Sequence, residues 1–202
     1  NFSNIHKFYD FINSFTTLGF DKSWRKKAAE KLNPGSVLDL GSGTGASYSD
    51  LKNFDVTALD PDEKMLSLNN FKKKVVGLGE ELPFNENSFD NVLCCFVWRN
   101  MTDTEKALNE VYRVLKPGGK FILLDMTRPK NFFLKLLHKI GTFALLHFVG
   151  FITFNLKEYR FLYKSLDFYP QPEDHLTDDK YENLVIHRIG LFDFVYLAVF
   201  TK

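Results

Sequence analysis

An α/β fold with a parallel sheet is what this 202-residue sequence predicts, and three observations predict it. Short apolar runs alternate with stretches of helical spacing from residue 37 to residue 125, the pattern of strands joined by crossover helices. The first run, Val37-Leu38-Asp39-Leu40, breaks at once into Gly41-Ser42-Gly43-Thr44-Gly45, which reads as a buried strand entering a tight loop. Length and composition, with 45% apolar and 25% charged residues, suit one three-layer domain over 1–202.

Taken in order, helical spacing over residues 3–13 and 21–32 predicts an N-terminal helical cap over 1–33, stopped by Asn33-Pro34-Gly35. After the first strand and its loop comes a helix over 46–51. A second strand over 55–60 carries Asp60 at its carboxyl end, and Asp62 caps the next helix. A third strand spans 75–78 and a fourth, apolar nearly throughout, spans 89–96. Thr102 or Asp103 opens a helix whose Ala107, Leu108, Val111, Val114 and Leu115 share one face. Lys116-Pro117-Gly118-Gly119 ends it, and strand five spans 120–125. Alternation over 181–189, Gly190 and an apolar run over 194–200 predict an antiparallel hairpin, preceded by about one helical turn at 175–180. A helix over 177–189 is the alternative.

The glycine loop points to a nucleotide. Gly41 and Gly43 let a ligand approach the backbone closely because no Cβ intervenes, and a helix start aims unpaired N–H groups at the same place. Gly41, Gly43 and Ala46 also satisfy the dinucleotide fingerprint, with Asp60 near its ~20-residue offset. Asp39 favours a different ligand. A carboxylate held against the loop repels a pyrophosphate, whereas S-adenosylmethionine carries an ammonium and a sulfonium and no phosphate. Asp60, at a strand's carboxyl end, is placed to accept both ribose hydroxyls.

Composition narrows the partners. A net charge of +1, without a long basic run, argues against a nucleic-acid site. Cys94 and Cys95 are adjacent, a spacing that suits neither a disulfide nor a metal, and reads as buried free thiols in a reducing compartment. No signal-peptide pattern and no apolar run of 18 residues occur, so a cytoplasmic location without a spanning helix is expected. The 22 phenylalanines fit either a Phe-rich core or a cleft for a large apolar ligand.

These residues resemble the class I S-adenosylmethionine-dependent methyltransferases, and among them the ubiquinone/menaquinone biosynthesis C-methyltransferases. The class likeness rests on residues 37–45, Asp60, Glu81-Leu82-Pro83-Phe84 and Leu115-Lys116-Pro117-Gly118-Gly119. The narrower one rests on Tyr9-Asp10 with Trp24-Arg25, on Arg99-Asn100-Met101-Thr102-Asp103, on Ala107-Leu108 and Tyr112-Arg113-Val114-Leu115, on Thr127-Arg128-Pro129, and on Tyr159-Arg160 through Tyr169-Pro170. The resemblance implies a Rossmann-like three-layer sandwich: a mostly parallel seven-stranded sheet with an antiparallel C-terminal strand, N-terminal helices and a helical lid after strand five.

It also implies donor contacts at Thr44, Asp60, the Leu78-Gly79 pair and Cys95, with S-adenosylhomocysteine as product. With the loop reading, the candidate donor set is Asp39, Gly41, Ser42, Gly43, Thr44, Gly45, Asp60, Met65, Leu78, Gly79, Glu80 and Cys95. Leu78 stands where the family carries Asn or Asp, which leaves backbone groups or Glu80 for the adenine amino group. Cys95 replaces Ser, and Val97-Trp98 replaces Gly-Leu beside the reaction site, enlarging the pocket wall. Arg99 and Asn100 are the candidate catalytic residues. Arg99 holds a developing phenolate and Asn100 orients the ring oxygen or the loop, the alternative for Arg99 being a salt bridge to a neighbouring carboxylate. Tyr9, Asp10, Trp98 and Tyr159 are candidates for the substrate mouth.

The implied acceptor is a prenylated quinol. Another small-molecule O-, N- or lipid acceptor, a nicotinamide-dependent oxidoreductase and a non-catalytic scaffold are the alternatives. Residues 140–154 carry no formal charge. They read either as a buried helix pair or as the greasy part of a lid over 130–176. In the second reading the lid rests on the inner face of the membrane, with Lys130, Lys135 and Lys139 beside headgroups. A homodimer is left open.

Overall fold

The computed structural model describes residue 17 and residues 19–152, 156–177 and 179–202. Tyr9, Asp10 and the helix expected over 3–13 lie outside the described residues. The chain runs through α1 (Phe20–Ala29), β1 (Ser36–Leu40), the single-turn α2 (Tyr48–Leu51), β2 (Asp55–Asp60), α3 (Glu63–Leu68), β3 (Lys73–Val76) and β4 (Phe89–Cys95). A 3-10 turn (Trp98–Asn100) and α4 (Thr104–Val114) lead to β5 (Leu115–Met126). Then come α5 (Phe132–Ile152), α6 (Leu156–Phe168), the short α7 (Pro172–His175), β6 (Asn183–Ile189) and β7 (Val195–Thr201).

The seven strands form one sheet in the order β3-β2-β1-β4-β5-β7-β6. Pairs among β1 to β5 are parallel, and β7 runs antiparallel between β5 and β6. This is the expected architecture, and the C-terminal segment is a hairpin rather than a helix. Alternate residues of each strand face opposite layers. Leu38, Leu40, Val92, Cys94, Phe121 and Leu123 pack with Ala107, Leu108, Val111 and Val114 of α4. Val37, Leu93, Cys95, Ile122 and Leu124 pack with Trp24, Ala28 and Ala29 of α1. Both cysteines are buried and free.

Several boundaries move. β3 ends two residues earlier than expected, and Leu78 instead makes an isolated bridge to Glu81. The helix after the loop begins at Tyr48, because residues 44–47 are spent in turns closed by Gly45 N–H to Ser42 C=O and Tyr48 N–H to Gly45 C=O. β5 begins before the Lys116-Pro117-Gly118-Gly119 segment rather than after it: Leu115 already pairs with Phe89, the register then shifts across 116–119 to resume at Asn91 and Lys120, and the Gly118 N–H donates to the Lys202 carbonyl. α4 is capped by Asp103, whose carboxylate accepts from the Lys106 N–H. The helical turn before β6 lies at Pro172–His175, not 175–180, with proline in the first turn, where its missing N–H costs nothing.

Of the apolar run after β5, residues 153 and 154 lie outside the described residues; the rest forms no pair within itself and is largely exposed, with Leu146 buried. It is most of the 21-residue α5, which packs antiparallel on α6: Lys139 meets Asp167 and the Phe143 ring meets Tyr163. Arg128, buried at the end of β5, pins both helices. Its Nε donates to Asp167, its Nη1 to Thr142 Oγ1 and its Nη2 to the Tyr163 carbonyl. The outer face of α5, with Phe133, Leu137, Ile140, Phe148 and Phe151, is exposed. No helix among the described residues is long and apolar enough to cross a membrane.

Candidate active site

The carboxyl ends of β1, β2 and β4 converge on the glycine loop. Gly41 takes φ +71°, and a Cβ there would stand 2.6 Å from Val97 Cγ1, so both conformation and space demand glycine. Gly41 and Ser42 both donate their N–H to the Leu59 carbonyl, at 2.8 and 3.0 Å. The Gly43 N–H donates to Asp60 Oδ2 at 2.9 Å. The amides that would cradle a phosphate are therefore consumed inside the loop and by Asp60.

Asp39 lies beneath the loop, buried on the α1 side of the sheet, and accepts from Ser42 Oγ at 2.5 Å. Burial lifts its carboxyl to about 6, against the lowering effects of Ser42 and then of Arg25. Asn69 completes the support. Its Nδ2 donates to Ser42 Oγ and to the Gly43 carbonyl, and its Oδ1 accepts from the Phe71 N–H. Gly45, at φ +85°, presses so closely on Asn69 that a Cβ would lie 2.7 Å from Oδ1.

In front of the loop lies a cleft of about 670 Å³. Of the expected donor residues it brings together Gly41, Asp60, Met65, Leu78, Gly79 and Glu80, and it adds Asn100, one of the two expected catalytic residues. Its lining carries the carboxylates of Asp60, Asp62, Glu63 and Glu80 against the single ammonium of Lys64. Such a wall suits a cationic ligand and disfavours a pyrophosphate. Asp60 Oδ1 accepts from the Asp62 N–H, and burial raises its pKa. Its two oxygens keep lone pairs for hydroxyl donors. Loop and cleft thus fit S-adenosylmethionine: a glycine cradle without Cβ atoms, a ribose acceptor and an acidic wall.

Other expected residues sit elsewhere. Asp39, Ser42, Gly43, Thr44 and Gly45 form or support the loop without lining the cleft. Cys95 is buried on the α1 side, its thiol pushed up to about 12 by burial. Glu80 Oε1 accepts from the Thr102 and Asp103 N–H groups, so that oxygen is committed to the start of α4 rather than to an adenine. Trp98, expected in the pocket wall, is fully buried and packs on Phe121. Its bulk goes into the core, and it borders a separate cavity with His175 and Lys180. Tyr159 falls on α6, with its side chain outside what the structure describes.

Arg99 is buried and forms a salt bridge with Asp125, the arrangement named above as its alternative, and its backbone N–H also donates to Asp125 Oδ2. Its Nε is buried without a hydrogen-bond partner. Phe96, just before this turn, takes φ +63°, strain of the kind that clusters at functional sites.

Sequence reasoning missed Asn69 and Asp125, and missed Met101 as a lining residue, whereas Val97, expected in the pocket wall, does line the cleft. Asn69 reads locally as a helix end, and Asp125 as a polar strand terminus. Neither carries a signal that it reaches a loop or turn 26 or 27 residues away.

Comparison with known proteins agrees with this geometry. The family model described as the ubiE/COQ5 methyltransferase family matches residues 1–179. Ubiquinone/menaquinone biosynthesis C-methyltransferases of Rickettsia felis and Rickettsia akari are each 34% identical over 196 residues, covering 86% of this chain and 78% of theirs. A solved SAM-dependent methyltransferase from Thermotoga maritima, described as a possible histamine N-methyltransferase, shares the fold with a TM-score of 0.71. It is 21% identical, over 98% of this chain and 97% of that one. The fold, the acidic cleft and these matches lead to one conclusion: the chain belongs to the ubiE/COQ5 methyltransferase family.

Proposed function

We propose that the chain transfers the methyl group of S-adenosylmethionine to a ring carbon of a quinol in quinone biosynthesis. The observation that carries the donor side is the loop whose amides are already spent, beside a cleft rich in carboxylates. The donor when bound supplies an electrophilic sulfonium methyl. Asp60 takes the ribose hydroxyls, Gly41 admits the donor against Val97, and Asp39 supplies negative charge beneath the loop.

On the acceptor side, Asn100 stands in the cleft and Arg99 follows Trp98 in the same turn. Asp125 fixes the buried Arg99 guanidinium behind the cleft wall that Asn100 lines; its Nε–H has no protein partner, and it becomes a donor for a phenolate oxygen once the acceptor opens that wall. A guanidinium stays protonated, so Arg99 stabilises charge and the hydroxyl proton passes to water. The new carbon–carbon bond forms as the sulfonium–methyl bond breaks, and the ring proton leaves to restore aromaticity. Positioning supplies most of the rate.

Incubation with isotopically labelled methyl donor and a quinol series, read by mass spectrometry, tests this reading. Label on a ring carbon is the expected result; label on oxygen or nitrogen overturns it. Arg99→Ala strands Asp125 in the core, so Arg99→Met with Asp125→Asn is the cleaner variant. Near-normal turnover in that variant removes Arg99 from the mechanism.

The exposed apolar face of α5 supports a second part of the proposal: the 130–176 hairpin rests on the inner face of the membrane and admits a prenyl tail. Lys130 and Lys139 are held by Glu173 and Asp167, which leaves Lys135 for headgroups. Phe133→Asp with Phe151→Asp is expected to abolish flotation with anionic vesicles. Unchanged flotation overturns this part, as does a concentration-dependent dimer that the same changes dissolve.

A further inference from the structure

Among the described residues, the inward-turned arginines follow a rule with one exception. Arg99 has Asp125, Arg113 has Glu110, Arg128 has Asp167 and Arg188 has Glu173. Arg25 is 7% exposed and has no carboxylate within ion-pairing reach. Its Nη1 donates to Ser47 Oγ at 3.2 Å, its guanidinium lies 5.0 Å from the centre of the Phe96 ring, and its Nε is buried without a partner. Asp21, one helical turn away on α1, accepts from Thr17 instead. Asp39 and Asp50 feel its charge, but neither is bonded to it, and a buried guanidinium without a bonded counter-ion is costly to keep, so this position has room for an anion.

Its surroundings say which anion. Ser47 follows the glycine loop by two residues, and Phe96 precedes Val97, which closes the cleft over Gly41. Asp39 and Cys95 face the same layer as α1, and both feel the Arg25 charge. Arg25 therefore stands at the end of the site away from Asp60, on the far side of the loop. S-adenosylmethionine carries one carboxylate, on its amino-acid end, directly beside the ammonium. The order of charges on the protein, Asp39 and then Arg25, matches that zwitterion.

We infer that Arg25, steadied by Ser47 and the Phe96 ring, is the counter-ion for the donor's α-carboxylate. The inference rests on the donor assignment and is independent of which acceptor is methylated. α1 thereby becomes part of the donor site, and its guanidinium discriminates intact donor and product from their truncated thioethers.

Calorimetry with two probes tests it: S-adenosylhomocysteine, which has the amino-acid end, and 5′-methylthioadenosine, which lacks it. Arg25→Met is expected to weaken S-adenosylhomocysteine about 10- to 100-fold, the range of a charge-assisted contact. Methylthioadenosine should change less than about 3-fold. Equal losses for both probes would mean that Arg25 only shapes the loop, and would overturn the inference. Unchanged binding of both would overturn it too. Arg25→Lys retains the charge and covers the case in which the methionine variant does not fold. It should weaken S-adenosylhomocysteine about 3- to 10-fold with methylthioadenosine unaffected, and equal losses there overturn the inference in the same way. If neither probe bound wild-type protein, the donor assignment itself would fail, an outcome distinct from both.

Discussion

Asn69→Ala is expected to loosen the glycine loop without touching any residue that lines the cleft. Asn69 is buried and spends its amide on Ser42 Oγ at 2.8 Å, on the Gly43 carbonyl at 3.1 Å and on the Phe71 N–H at 3.0 Å. Each such bond is worth about 0.5–1.5 kcal/mol net, and more where a buried partner is left unsatisfied. Three of them give a loss of about 2–4 kcal/mol. At about 2–4 °C per kcal/mol for a chain of this size, Tm should fall by about 5–15 °C. In urea the midpoint should drop with an unchanged slope, because the folded state stays equally compact. Binding of S-adenosylhomocysteine should weaken about tenfold, since Ser42 loses the partner that holds it against Asp39. Asn69→Asp keeps the Phe71 bond but adds a carboxylate beside the Asp39–Ser42 pair, so it should bind worse than wild type and recover as pH falls. An alanine variant within about 0.5 kcal/mol of wild type, with unchanged affinity, would refute the view that Asn69 holds this loop.

Gly41→Ala places a Cβ 2.6 Å from Val97 at a positive φ. It should abolish measurable donor binding and cost about 2–4 kcal/mol, and adding Val97→Ala should recover only the steric part, as read by paired denaturation curves. Asp39 is raised to about 6 from 3.8, so the folded carboxyl holds its proton more tightly than the unfolded one. Its contribution therefore grows as pH falls from about 6 to about 4 and is lost as pH rises through about 6, a swing of about 3 kcal/mol. Asp90 and Glu173, each held near 2 by their partners, act in the opposite sense at lower pH. The Asp39 effect is thus read as wild type minus Asp39→Asn, and donor affinity should weaken below about pH 6 in wild type alone. Asp167→Ala removes the carboxylate from buried Arg128 and should cost about 3–5 kcal/mol, with hydrogen exchange rising first in α5 and α6. Protection unchanged in those helices would show that Arg128 is not their anchor.

How much was legible in the sequence follows from the range of each interaction. Strands declare themselves through local apolar runs, and the glycine loop through spacing. Gly41 and Asp60 were legible as candidates from their place at the sheet's carboxyl edge, Gly79 and Asn100 from the family resemblance, and the four line one cleft. Side-chain direction was harder. Trp98 was expected in the pocket wall because the resemblance puts it beside the reaction site, yet it turns into the core onto Phe121. Arg99 has the same local context and turns to Asp125. Nothing in the local sequence distinguishes these outcomes.

The sequence by itself determined the α/β class, the alternation that splits the sheet into two packed faces, the donor loop and the family. These depend on period and spacing along the chain, which short-range sterics and burial translate directly into strands, helices and turns. Only the tertiary structure decided what the loop's amides bond to, which carboxylate neutralises which arginine and which face of α5 is left bare. Those outcomes depend on groups far apart in sequence whose meeting is set by sheet order. Arg25 reads in the sequence as part of the Trp24-Arg25 motif at the head of a basic run, with no ligand assigned to it. In the folded chain it is the inward arginine without a carboxylate, standing where the donor loop ends.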